Sequence, residues 1–168
     1  FFDIEGDAFV GEHGLEYLFG YVFSGSDQGA NEKGLWAFSP AEEKKAFEEF
    51  IDDVMERWAL DPGMHVYHYA PYEPVALKRL MGRYATRQSE VDRLLRAERF
   101  VDLYSIVRQA VRAGIERYSL KDLEVFYSFE RDLDLPDANK ALHAMELALE
   151  MGHDVETISE IHGLVARY

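Results

Sequence analysis

The sequence predicts a single α/β domain in which helices flank a mixed β-sheet. Three observations predict this class. Aromatic and aliphatic runs separated by short loops open the chain, a long segment with apolar residues at helical spacing follows, and the second half is mainly helical. At 168 residues the chain fits one domain covering its full length, residues 1–168, and it contains no internal repeat.

The N-terminal region is expected to form an antiparallel meander of three strands. The strands are "FFDIEG", "HGLEYLFGYVFSG" and "GLWAF". The Gly, Ser, Asp and Asn residues of "SGSDQGANEKG" mark the loop between the second and third strands. Short loops of this kind join antiparallel neighbours.

A long helix is predicted next, in "SPAEEKKAFEEFIDDVMERWALDPG". Ser39 is a plausible N-cap, acidic residues occupy the first turn, and "DPG" ends the helix. One face of this helix carries an apolar stripe formed by Phe47, Phe50, Ile51, Val54, Met55 and Trp58.

In the second half, two short strands are predicted among several helices. "MHVYHY" is predicted to be a strand parallel to an earlier one, because it follows a long helix, and "FVDLY" is a second short extended segment. Helices are predicted in the stretches "PVALKRLMGRY", "SEVDRLLRAERF", "SIVRQAVRAGI", "SLKDLEVFY", "DANKALHAMELALEMG" and "VETISEIHGLVARY".

Composition limits the possible functions. The chain has no cysteine, which excludes disulfides and thiolate metal sites, and no apolar run approaches the ~20 residues that span a bilayer. We expect a cytoplasmic protein without membrane contact. The sequence does not begin with Met, so we expect a segment of a longer protein.

The net charge of −14 argues against a simple nucleic-acid binder. The argument weakens if several acids are metal ligands or if the cations cluster. A cluster does occur around Lys78 and Arg79, followed by Arg83 and Arg87. These cations are candidates for nucleic-acid contact, and solvated helix faces are the alternative explanation.

Asp3 and Glu5 project from the same face of the first strand, because side chains alternate along a strand. Two carboxylates held this close repel each other, and a divalent cation with oxygen ligands relieves that repulsion. Mg²⁺ and Mn²⁺ fit such a site and suggest phosphate chemistry. The alternative is an edge strand with both acids in water.

Glu73 and Asp102 are further acidic candidates. Glu73 follows the fourth predicted strand, at the strand end where α/β sheets gather ligands and beside a helix start that favours negative charge. Asp102 is adjacent to apolar strand residues. The alternatives are an ordinary first-turn acid for Glu73 and a helix cap for Asp102.

Four stretches in this order, "DIEG", "HYAPYE", "VDLY" and "YSLKDLE", resemble the ribonuclease H-like DEDD exonuclease domain of predicted RecB-like nucleases, the YprB-like group. The resemblance extends over nearly the whole chain. It implies a ribonuclease H-like fold with a five-stranded mixed sheet in the order 3-2-1-4-5. It also implies removal of nucleotides from a 3′ end, and RecB-like nuclease or helicase domains in the parent protein.

The resemblance assigns metal ligands to Asp3, Glu5 and Glu73, although the family's second motif more commonly has Asp at the last of these positions. Asp3 would bridge two Mg²⁺ or Mn²⁺ ions, Glu5 would hold the ion that activates water, and Glu73 would hold the ion beside the departing 3′ oxygen. Tyr168 would orient or help deprotonate the attacking water. The family's last aspartate would follow four residues later, beyond the given sequence.

Ser119 and Lys121 are candidate phosphate contacts in "YSLKDLE", with an ordinary N-cap as the alternative for Ser119. Two other functions stay open. The first alternative to a metal-dependent exonuclease is a degenerate ribonuclease H-like module that binds nucleic acid or a partner domain without cutting. The second is an acidic interaction domain that does not contact nucleic acid.

Overall fold

The computed structural model describes residues 1–23, 31–128 and 135–152. Five strands and six α-helices lie in these ranges. They are β1 (Phe2–Asp7), β2 (Leu15–Phe23), β3 (Asn31–Trp36), α1 (Pro40–Leu60), β4 (Val66–His68), α2 (Tyr72–Tyr84), α3 (Gln88–Arg96), β5 (Phe100–Asp102), α4 (Leu103–Ala110), α5 (Leu120–Leu123) and α6 (Leu135–Glu150), with a 3₁₀ turn at Glu124–Phe126.

The strands form two hydrogen-bonded sheets. β1, β2 and β3 make the predicted antiparallel meander with β2 in the centre, and β4 and β5 form a parallel pair. The single sheet in the order 3-2-1-4-5 is not confirmed. The partial orders 3-2-1 and 4-5 are present and β1 contacts β4, but no hydrogen-bonded ladder joins β1 to β4 among the described strands. With three residues in β4, few backbone groups are available to make one.

The main core lies between the three-stranded sheet and α1. Phe2 and Ile4 of β1 are buried there against the apolar stripe of α1, and the rings of Phe2 and Phe50 stack with their centroids 3.9 Å apart. Met55 and Trp58 continue the stripe as partly buried residues. The predicted helix and its buried face are therefore confirmed.

A one-residue irregularity in β2 redirects its side chains. Glu5 is paired with Leu18, whereas the next residue, Gly6, is paired with Glu16, so β2 accommodates an extra residue. Such a bulge reverses the faces on which later side chains lie. Phe19 and Tyr21 therefore pack in the main core with α1, while the earlier Tyr17 packs with residues of α6 in a second apolar cluster.

The helical second half differs from the prediction at several boundaries. α2 begins at Tyr72, two residues before Pro74, which a first helical turn tolerates. The helix predicted in "SIVRQAVRAGI" ends at Ala110. The predicted helix "VETISEIHGLVARY", including Tyr168, lies outside the described residues. Among residues 1–23, 31–128 and 135–152, no helix is long and apolar enough to cross a membrane.

Candidate active site

Asp3 and Glu5 lie on the face of β1 opposite the main core. Their neighbours Phe2 and Ile4 are only 1% and 4% exposed where they pack against α1. Strand alternation then places both carboxylates on the other face. The burial pattern agrees with the predicted shared face, and the main core thus fixes the direction in which the two acids point.

Glu73 is positioned by a tight turn between β4 and α2. Ala70 adopts a left-handed backbone conformation with φ of 76°, which is uncommon for a residue with a side chain. Its amide donates to the Asp102 carboxylate at 2.9 Å, and its carbonyl is 2.7 Å from Nδ1 of His68. These two contacts hold the turn, and α2 starts two residues later with Glu73 in its first turn.

Asp3, Glu5 and Glu73 interact electrostatically. Burial, followed by the Glu73 carboxyl group within hydrogen-bonding range, raises the pKa of Asp3 to about 6. Asp3 is exposed to solvent, although enough protein lies near its carboxylate for burial to be the largest cause of the raised pKa. Burial, followed by the charge of Asp3, raises the pKa of Glu5 to about 7, against the lowering effect of Lys121. Asp3 and Glu73 thus each raise the pKa of Glu5, and Glu73 also raises the pKa of Asp3.

The Glu73 carboxylate is buried and incompletely satisfied. Glu73 is 3% exposed, and its Oε2 has no hydrogen-bond partner among the described residues. Nδ1 of His68 is 3.4 Å from that oxygen but is closer to the Ala70 carbonyl. Burial lowers the pKa of His68, yet the Glu73 carboxylate and the Ala70 carbonyl together raise it above its ordinary value. A cationic imidazole would partly balance the acids.

An open cleft of about 840 Å³ adjoins these acids, with Asp3 in its lining. Ser119 and Lys121, two predicted phosphate contacts, line the same cleft. The structure therefore places both in the same cleft as Asp3. Aromatic residues and further cations complete the wall, among them Tyr69, Tyr104, Tyr118, Arg108 and Arg117.

The predicted contacts Lys78 and Arg79 are not part of this cleft lining. Both are exposed on α2, and Arg79 forms an ion pair with the buried Glu16. The ion pair connects α2 to β2, so Arg79 has a structural function in the folded chain.

A family model described as the RNase H superfamily matches residues 1–145. The chain belongs to the RNase H superfamily. The matched range includes Asp3, Glu5, Glu73 and the whole cleft lining. No curated protein and no solved structure matches the chain. Membership in the RNase H superfamily indicates a nuclease-like fold with nucleic acid as its partner, and nucleases of this superfamily generally use divalent metals.

The donor atoms of this RNase H superfamily site suit a hard divalent cation. Carboxylate oxygens are the preferred ligands of Mg²⁺ and Mn²⁺, and the buried, unpartnered Oε2 of Glu73 is an available donor. The described acids are nevertheless not grouped closely enough to form a metal site as they stand. In the part of the chain that the structure describes, no group of three or more His, Cys, Asp or Glu side chains is placed to hold a metal ion.

Asp102 and Ser119 both have local structural functions. Asp102 caps α4: its carboxylate accepts from the Tyr104 amide at 2.9 Å and from the Ser105 hydroxyl at 2.5 Å. Burial alone would raise the pKa of Asp102, but these bonds and the Ala70 amide lower it. Ser119 caps α5 by accepting from the Asp122 amide at 3.2 Å. Asp102 and Ser119 therefore act as the helix caps that the sequence offered as their alternative functions.

Sequence reasoning missed three neighbours of the site. His68 was not among the predicted site residues, although it contacts Glu73. Glu16 is 2% exposed and accepts a hydrogen bond from the Tyr72 hydroxyl at 2.9 Å, next to Glu73 in the chain. Glu146 of α6 also raises the pKa of Glu5. An acid inside the apolar strand "LEYLF" was a visible signal for Glu16, whereas the position of Glu146 depends on how α6 packs.

Proposed function

We propose that the chain is a metal-dependent nuclease domain that hydrolyses phosphodiester bonds of DNA or RNA from a 3′ end. The observation that carries the proposal is the mutual electrostatic effect of Asp3, Glu5 and Glu73, of which Asp3 lines an open cleft. The raised pKa values of Asp3 and Glu5 indicate a charge that a cation would neutralise. The superfamily match supports nuclease chemistry, while the 3′ polarity rests on the family resemblance.

The carboxylates of Asp3, Glu5 and Glu73 are the groups that would hold two Mg²⁺ or Mn²⁺ ions. Bound divalent ions lower the pKa of water and offset the charge that develops on phosphate and leaving group. His68 lies 3.4 Å from the Glu73 carboxylate, where it would help to position this acid. Lys121 and Ser119 line the path of the phosphate backbone.

Two further parts of the proposal, like the 3′ polarity, rest on the resemblance alone. Tyr168, which lies outside the described residues, would orient or help deprotonate the attacking water. RecB-like nuclease or helicase domains in the parent protein would deliver the strand.

A non-cleaving nucleic-acid binding module is the second candidate function. Two observations favour it. The described carboxylates do not form a ready group of three around one point, and the positive charge of Lys121 acts on Glu5, where it would partly replace a metal ion. Such a module would bind nucleic acid in the same cleft but would not hydrolyse it.

A nuclease assay separates the two candidates. Single-stranded and 3′-overhang oligonucleotides, labelled at the 5′ end, are incubated with Mg²⁺ or Mn²⁺ and the wild type, Asp3→Asn or the surface control Asp92→Asn. We expect stepwise shortening by the wild type and the control. The Asp3→Asn variant should lose more than about a hundredfold in rate, because loss of groups that merely support ligands already costs 10 to 100-fold. Binding without cleavage would favour the second candidate.

A further inference from the structure

Glu16 of β2 is a buried carboxylate that binds the beginning of α2. It accepts a hydrogen bond from the Tyr72 hydroxyl at 2.9 Å and forms an ion pair with Arg79. Tyr72 is the first residue of α2 and immediately precedes Glu73, whereas Arg79 lies in the middle of the helix. Arg79 therefore balances the buried charge of Glu16, and the same carboxylate holds the tyrosine at the helix start.

The first turn of α2 has no capping side chain. Its N-cap position is Pro71, and no side-chain hydrogen bond caps the helix there. The free amides of a helix start are usually bound by Ser, Thr, Asp or Asn at this position, which also fixes the first turn in place. The bond from the Tyr72 hydroxyl to Glu16 ties this turn to the sheet in place of a cap.

The Glu16 carboxylate also lies directly against the backbone of β1. Gly6 is paired with Glu16, and a Cβ at position 6 would lie 2.0 Å from the Glu16 Oε2. Since β1 carries Glu5 and α2 carries Glu73, the contact of Glu16 with Tyr72 joins the two elements that supply the acids. Burial, followed by the charges of Glu5 and Glu73, raises the pKa of Tyr72, so both acids act on this hydroxyl.

We infer that Tyr72 is a positioning residue whose hydroxyl, bound to Glu16, sets the place of Glu73 relative to the acids of β1 and thereby the affinity of the site for a divalent cation. The inference rests on the proposed function, because it concerns the metal site of that reaction. Loss of a group that supports a metal ligand typically weakens metal binding about 10 to 100-fold. Glu73 needs such support, since its Oε2 has no hydrogen-bond partner among the described residues.

The other end of α2 provides a matched comparison. There the Tyr84 hydroxyl donates to Glu43, which is fully buried and also accepts from Arg83 at 2.9 Å. Tyr72 and Tyr84 thus make the same kind of bond to a buried carboxylate. They are the first and last residues of α2, about 18 Å apart at the helical rise of about 1.5 Å per residue. The Tyr84 bond therefore stabilises the fold at a distance from the acids.

The test compares Tyr72→Phe with Tyr84→Phe, since each substitution removes one hydroxyl group and keeps the ring. Isothermal titration calorimetry with Mn²⁺ at pH 8 measures cation binding by the wild type and both variants. Urea unfolding in chelator measures the stability of each protein without metal, and circular dichroism spectra establish that each is folded. A loss of stability alone lowers the urea midpoint, whereas a displaced Glu73 lowers the affinity of the folded protein for Mn²⁺.

We expect Tyr72→Phe to bind Mn²⁺ at least about tenfold more weakly than the wild type. Tyr84→Phe should bind Mn²⁺ as the wild type does, although its urea midpoint falls. Equal Mn²⁺ affinities of the two variants, with saturable binding by the wild type, would overturn the inference and leave the proposed metal site in place. No saturable binding by the wild type would overturn both. The expected difference between the variants, in a chain that never cleaves oligonucleotides, would support the inference and contradict nuclease function.

Discussion

Replacing Glu5 by Gln should make the metal-free protein more stable at pH 8. The cause is the environment of the carboxylate, in which burial and then Asp3 raise the pKa of Glu5 to about 7. An acid with a raised pKa in the folded state opposes folding once it is ionised, because the unfolded chain gives up that proton more easily. Gln keeps the shape of the side chain and has no proton to lose.

The size of the effect follows from the pKa. The difference between about 7 in the folded protein and the ordinary value of 4.5 corresponds to roughly 3.5 kcal/mol, at about 1.4 kcal/mol per pH unit. Glu5 is partly open to solvent, so screening reduces this to about 2 kcal/mol. The penalty is absent below pH 4.5, grows as the pH rises, and is complete above pH 7. The wild type therefore loses stability over that interval.

Urea unfolding in chelator at pH 4 and pH 8 measures the effect. We expect the Glu5→Gln variant to be more stable than the wild type by about 2 kcal/mol at pH 8 and equal to it at pH 4. The control Asp92→Asn, at an exposed residue of α3, should show no such dependence on pH. A Gln variant that is no more stable than the wild type at pH 8, or equally more stable at pH 4 and pH 8, would contradict this explanation.

Two further predictions concern residues around the site. His68→Phe removes the donor to the Ala70 carbonyl and the contact with Glu73, so the maximal rate of hydrolysis should fall by about tenfold. His68→Asn keeps a donor and should retain more of the rate; equal losses in steady-state kinetics would contradict a positioning role. Gly6→Ala should destabilise the fold by about 1–3 kcal/mol, because the new Cβ would lie 2.0 Å from the Glu16 carboxylate. An unchanged urea midpoint would contradict this clash.

The sequence predicted the local elements well because their signals are periodic. The apolar stripe of α1 and the alternation in β1 depend only on residue spacing, and both agree with the structure. The shared face of Asp3 and Glu5 follows from the same rule. The position of Ser39 as N-cap of α1 is also confirmed, because capping depends on a local side chain and a nearby amide.

The packing between distant segments of the chain could not be predicted from the sequence. The bulge in β2 directs Tyr17 towards α6, and no residue type in the sequence predicts that bulge. The separation of β4 and β5 from the first sheet depends on backbone pairing and not on composition. The cluster at Lys78 and Arg79 suggested a binding surface, yet Arg79 pairs with Glu16. The cations of the cleft come instead from α4, from the segment after it and from α5.

Titration with Mn²⁺, followed by electron paramagnetic resonance at pH 8, tests the central claim that Asp3, Glu5 and Glu73 form a divalent-cation site. At this pH Asp3 and Glu5 are ionised, with pKa values of about 6 and about 7. We expect saturable binding by the wild type and by Asp92→Asn, and binding weakened by more than about tenfold in Asp3→Asn. No saturable binding by the wild type, or equal binding by Asp3→Asn, would contradict the account.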